Sequence, residues 1–180
     1  MSSITFYESS VDQFIRGLEV LKNILQKAID HAPEESATYP AARLYEDMNP
    51  LSFQVQNVSN LTKKFVERLL PDSGLVPTWE DKETTMSELQ TRVDQTMDML
   101  RGTSPETLRG VEDKIIELKM GKSTITLSGK GYTFGMILPQ VIFHVSIAYA
   151  ILRSKGVPVG KRDFLNKFLE PQVLTQTDAS

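Results

Sequence analysis

Near the start of the chain, apolar side chains at Val11, Phe14, Ile15, Leu18, Leu21, Leu25, Ala28, Ile29 and Ala32 recur three and four residues apart. A helix turns ~100° per residue, so this spacing predicts a long amphipathic helix with one buried stripe. Ser10-Val-Asp-Gln13 has the spacing of a capping box and predicts its start, while Pro33 stops it. A polar connection follows over 33–48. Asn49-Pro50 then reads as an N-cap with proline at the first helical position. Leu51, Val55, Val58, Leu61, Phe65 and Leu69 form a second stripe, ended by Pro71.

Segment 71–84, with Pro71, Gly74 and Pro77, reads as a loop. Its Trp79 suits either a lid over one end of the fold or a platform for a ligand. Thr85-Met-Ser-Glu88 is a second capping box, and it opens a third stripe of Met86, Leu89, Val93, Met97 and Leu100 that closes near Gly102. Ser104-Pro105-Glu106 starts a short helical turn. The period then changes: Ile116, Leu118 and Met120 alternate with polar residues, as do Ile125 and Leu127 across a link at Gly121-Lys122. Alternation around a tight glycine link predicts a β-hairpin. A fourth helix, the most apolar, is predicted from Pro139 to Ser154. Gly156 ends it, and a short helix begins at Gly160. The pattern predicts a mainly all-α protein: a four-helix bundle with a short β-hairpin inserted before the last long helix. One domain spans 1–170, followed by a polar tail at 171–180.

Composition removes many alternatives. The 180 residues include 20 basic and 23 acidic side chains, for a net charge of −3, and no cysteine. Disulfides, thiolate catalysis and cysteine metal sites are excluded. No basic footprint for nucleic acid and no polybasic membrane patch exist. The first residues lack the layout of a signal peptide, which predicts a cytoplasmic protein. The stretch 132–152 is long enough to span a membrane but carries Pro139, Gln140, His144 and Ser146. It therefore reads as a core helix, with no membrane partner.

Candidate chemistry is sparse. Phosphate-binding glycine loops and nucleophile elbows are absent. His31 suits the negative end of the first helix. His144, the other of two histidines, shares a helix side with Ile137, Val141, Ala148 and Ile151, and Gln140 lies one turn earlier as a partner for its ring. Two readings stand: a packed core histidine, or a general base facing a cavity. Gln54 intrudes on the flank of the second stripe and needs a buried partner, a backbone group or Tyr149. Gln56 points away toward solvent. Asp47 precedes the second helix and suits free N–H groups there.

Three segments carry a resemblance: Leu44-Tyr-Glu-Asp47-Met-Asn-Pro50-Leu-Ser-Phe53-Gln54-Val-Gln56, then Phe143-His144-Val-Ser-Ile-Ala148-Tyr149-Ala-Ile-Leu-Arg153, then Gly156-Val-Pro158-Val-Gly160-Lys-Arg-Asp163-Phe-Leu165. Together they resemble a fungal and bacterial family with a domain of unknown function, near the DinB/YfiT-like helical bundles. That wider group includes metalloenzymes and thiol-dependent transferases and isomerases. The resemblance implies a metal held by one histidine on the second helix and a His-x-x-x-His pair on the last. This chain matches at His144 only: Ala148 takes the pair's second position, and Gln54 or Gln56 stands near the helix-two position. The expectation is therefore a pocket with no metal and no cofactor, accepting a small hydrophobic metabolite. His144, Gln54, Asp47 and Tyr149 are its candidate catalytic groups, and Gln140, Gln56 and Trp79 its candidate binding groups. An isomerase, dehydratase or cyclase would suit one base in an apolar cavity. A metal-dependent transferase and a non-catalytic oligomerising bundle are the alternatives. Apolar excess near Ser146, Tyr149 and Ala150 predicts a homodimer.

Overall fold

A computed structural model describes residues 4–173. A short helix α1 (Phe6–Ser9) precedes the first long one, α2 (Val11–His31). The capping box at this end belongs to α1. The Thr5 hydroxyl accepts from the Glu8 N–H, and the Glu8 carboxylate accepts from the Thr5 N–H at 2.7 Å. Ser10 makes no side-chain cap. Its hydroxyl donates to the Phe6 carbonyl, and the Gln13 amide donates to the Glu8 carbonyl. These two residues satisfy acceptors left over where α1 ends, which is why the expected box at Ser10–Gln13 does not form.

Helix α3 (Leu51–Leu69) also starts differently from expectation. Pro50 holds the cap position, no side chain caps the helix, and the Leu51 N–H donates to the Ala42 carbonyl at 2.9 Å. Helix α4 (Met86–Arg101) has the predicted capping box: Glu88 N–H to the Thr85 hydroxyl at 3.2 Å, and Thr85 N–H to the Glu88 carboxylate at 2.9 Å. Strands β1 (Ile115–Met120) and β2 (Ser123–Ser128) form the antiparallel hairpin, pairing Ile115 with Ser128 and Met120 with Ser123. Gly121 turns the link with φ 60°, a conformation that favours glycine. Ile116 and Leu118 are buried, Leu127 packs partly against the core, and the other hairpin side chains are mostly exposed.

Helix α5 runs Gly129–Ser154, so it begins well before Pro139. A wider turn over Thr133–Ile137 lies inside it. Ser128 caps the start by accepting from the Gly131 N–H. Gly129 is required there, since a Cβ would stand 2.0 Å from the Val111 carbonyl oxygen. Helix α6 (Lys161–Leu169) follows, with a short 3-10 turn at Glu170–Gln172. Most of the predicted tail lies outside the described residues.

Around the bundle, α2 packs on α4, α4 on α3, α3 on α5, and α5 back on α2. The chain therefore crosses a diagonal twice, over 32–50 and again over 102–128. The first crossing contains a 3-10 helix, Glu35–Ala41, that buries Tyr39 against the core. The second carries the hairpin. Helix α6 covers part of α2. Helix α5 is long and apolar enough to cross a membrane. It packs on α2 and α3, and about one third of its apolar stretch is buried.

Candidate functional site

The α3–α5 seam brings His144 against two amides of α3. His144 Nδ1 lies 2.7 Å from Gln54 Oε1, and Nε2 lies 2.6 Å from Asn57 Nδ2. A backbone group fixes the proton on Nδ1. Gln54 Nε2 donates to the Asn49 carbonyl at 3.0 Å, and a carbonyl can only accept. The Gln54 oxygen must then face the ring, so Nδ1 carries the hydrogen and Nε2 offers a lone pair to Asn57. The imidazole is neutral in this arrangement. Burial lowers its pKa from the ordinary 6.5, because a half-buried cation loses hydration.

The ring forms one wall of a shallow cleft of about 220 Å³, which Asp47, Asn49, Phe53, Phe143 and Ile147 also line. Phe53 and Phe143 flank the imidazole at centroid distances of 6.0 and 5.2 Å, inclined by 70° and 85°. Phe143 is 55% exposed. Asp47 is exposed on the rim.

Of the residues predicted from sequence, His144, Gln54 and Asp47 meet at this cleft. Gln140 does not reach the histidine. Its amide donates to the Met136 carbonyl at 3.0 Å in its own helix, and both ring nitrogens of His144 are already taken. Tyr149 does not meet Gln54. Its hydroxyl donates to the Val159 carbonyl at 3.3 Å, and it lines a separate groove with Ser146, Lys161, Phe164 and Leu165. Asn57 was not foreseen, although it follows Gln54 by three residues and so shares its side of α3.

Gln56 and Trp79 belong to another cluster, built on Arg92. This side chain is 2% exposed and sits within the α4 apolar stripe between Leu89 and Thr96. Nε donates to the Ser59 hydroxyl at 2.7 Å. Nη1 donates to Glu83 at 2.8 Å and to the Glu80 carbonyl at 3.2 Å, and Nη2 donates to Asn60 at 2.9 Å and Asp81 at 3.0 Å. All five guanidinium N–H groups are thus engaged. Trp79 lies over the cation, 4.5 Å from guanidinium carbon to ring centroid, and Gln56 donates to the second oxygen of Glu83 at 2.9 Å. Trp79 is a lid, as one of its two readings had it, but over a buried charge. Gln56 is bonded rather than solvated.

A metal does not fit the cleft. Its donors are one imidazole, two amides and the Asp47 carboxylate, with Ala148 where a second histidine would stand. No group of three or more His, Cys, Asp or Glu side chains suited to a metal exists among the described residues. Transition-metal sites need several imidazole, thiolate or carboxylate donors.

Comparison with known proteins supports the fold. The crystal structure of a DinB family member protein from Shewanella denitrificans is similar to this chain, with a TM-score of 0.77 and 31% identity, over 88% of this chain and 90% of that one. No curated protein matches. The architecture is a DinB-like helical fold with a short hairpin. A family model described as a domain of unknown function, DUF1993, matches residues 6–165, and the chain belongs to that family.

Proposed function

We propose that this bundle binds a small, largely apolar molecule in the His144 cleft, without a metal, and that His144 Nε2 is the polar anchor. The observation that carries the reading is the relay from the Asn49 carbonyl through Gln54 to Nδ1–H. It orients the ring as one wall of the cleft, with the lone pair of Nε2 held by the Asn57 amide. A ligand hydroxyl or amine can take the place of the Asn57 amide on that nitrogen. The flanking Phe53, Phe143 and Ile147 supply apolar contact.

The same lone pair is where a general base would act, and this is the catalytic form of the proposal. Its orienting partner is an amide rather than a carboxylate. An amide fixes the tautomer but adds little charge stabilisation to an imidazolium. Binding is therefore the stronger part of the reading, and isomerisation or elimination of a bound metabolite the narrower part. A metal-dependent transferase would need donors that the cleft does not supply.

Nitrogen-15 NMR of the imidazole tests the relay: a neutral Nδ1–H tautomer is expected at pH 7. A fragment screen read by backbone amide shifts tests the site. Binders should perturb residues 47–57 and 143–147, and His144→Ala should lose them. Binders that cluster elsewhere, with this region silent, would sink the proposal.

A further inference from the structure

The two strands of the hairpin differ in what lies beneath them and in charge. Ile116 and Leu118 of β1 are 5% and 3% exposed, while Ile125 of β2, paired with Leu118, is 36% exposed. The bundle therefore supports β1, and the middle of β2 overhangs it. β1 carries Glu117 and Lys119, charges of the kind that keep a strand edge single. β2 reads Ser123-Thr-Ile-Thr-Leu-Ser128, with β-branched residues at its centre and no charge. No third strand pairs with it among the described residues. The turn decides which backbone groups β2 leaves free. Gly121 has φ 60°, Lys122 does not share its positive φ, and the two residues link Met120 to its partner Ser123, as in a type II′ turn. In such a turn the flanking residues are hydrogen-bonded, and bonded pairs alternate with unbonded ones along the ladder. Thr124, opposite Lys119, and Thr126, opposite Glu117, fall in the unbonded class, so their N–H and C=O groups point outward from the edge.

We infer that β2 pairs antiparallel with β2 of a second copy of this chain, about a two-fold axis at Ile125, and joins the two hairpins into one four-stranded sheet. In this register Thr124 and Thr126 exchange backbone hydrogen bonds with Thr126 and Thr124 of the partner subunit. Threonine then lies beside threonine on the outer face, a favourable cross-strand pair. On the other face Ile125 meets the partner's Ile125 at an unbonded position, where side chains come closest. A slip of one residue would set Ile125 against threonine instead. The strand is thus complementary to itself under a two-fold, and it has no charge with which to select a charged partner. The pairing does not involve the His144 cleft.

Light scattering on the full chain should give the mass of two 20.3 kDa chains at ~100 µM and of one on dilution, since a strand pair is a small interface. Thr126→Pro removes an outward N–H and leaves the β1–β2 bonds in place, so it should weaken the dimer about tenfold or more. The chain has no cysteine, so Ile125→Cys introduces a single thiol. Cα atoms at an unbonded antiparallel pair stand ~4.5 Å apart, within disulfide reach, and mild oxidation should link the two copies. Lys119→Cys, on the β1 edge, is the control and should link far more slowly. A single-chain mass at the higher concentration, a dimer of unchanged strength in Thr126→Pro, or linkage at position 125 no faster than at 119 each overturns the pairing. If Thr126→Pro loses its helical circular dichroism, the two rates of linkage decide.

Discussion

Helix α3 serves two polar clusters, and they differ in how completely they are closed. At Arg92 every donor has an acceptor and Trp79 covers the cation. At His144 both ring nitrogens are also bonded, but the ring forms a cleft wall and Asp47 stands on the rim without an ion partner among the described residues. A buried charge with all its bonds made has little left to offer a ligand, and its role is to hold chain segments together. Arg92 ties loop 71–85 to α3 and α4. A half-buried group beside open apolar surface keeps an acceptor that a ligand can compete for.

The difference can be broken by substitution. Arg92→Ala should be the most damaging change, costing about 3–5 kcal/mol, because it strands Glu83, Asp81, Asn60 and Ser59 and opens a cavity. Chemical denaturation measures it, and a loss below about 1 kcal/mol would show that the cluster is not the closed clasp described here. His144→Ala should cost less, about 1–2 kcal/mol, since Gln54 lines the cleft and can rehydrate from it. A loss as large as that at Arg92 would make His144 a packed core residue.

Acid sharpens the contrast further. The folded pKa of His144 lies below its unfolded value, so the unfolded chain takes up the proton first. Stability is then complete above the unfolded pKa near 6.5 and declines as pH falls through it, levelling off below the folded pKa. Glu8, Glu88 and Asp163, whose pKa values are lowered by hydrogen bonds and, at Asp163, by Lys27, lose their contribution only in the more acidic carboxylate range. Melting temperatures from pH 7.5 to 5.5 should fall in the native protein and fall less in His144→Gln. Parallel curves would refute the assignment. The smallest effect is expected at Tyr39, whose buried hydroxyl has no partner among the described residues. Tyr39→Phe should be neutral or stabilising by up to about 1 kcal/mol, and a clear destabilisation would mean that the hydroxyl is bonded to water.

Sequence pattern carried the frame and lost the details that tertiary contact decides. The stripes of α2, α3 and α4 are regular enough to read, and so is the alternation at Ile116 and Leu118. The first turns of α5 are not legible, because Gly129, Gly131 and Gly135 argue against a helix locally. The close approach of the Val111 carbonyl demands the first of these glycines. At the site, His144, Gln54 and Asp47 stand out because polar groups interrupt apolar runs. Helical spacing made Gln140 a neighbour of His144 but could not say that its amide would turn to Met136. Arg92 had a visible signal, a charge inside an apolar stripe, yet its partners come from a loop whose path the sequence does not reveal.

The double diagonal crossing of the bundle has a consequence for how the chain folds. Of the four packed helix pairs, only α3–α4 joins helices consecutive along the chain. Closing a short loop costs less entropy than closing a long one, so this pair, with its Arg92 clasp, is the natural nucleus. The α2–α5 contact must draw together segments from opposite ends of the sequence, and it closes last. The α3 face of the cleft is thus laid down early, while His144 arrives with α5. A chain caught before that final docking would hold Gln54 and Asn57 in position with no imidazole between them.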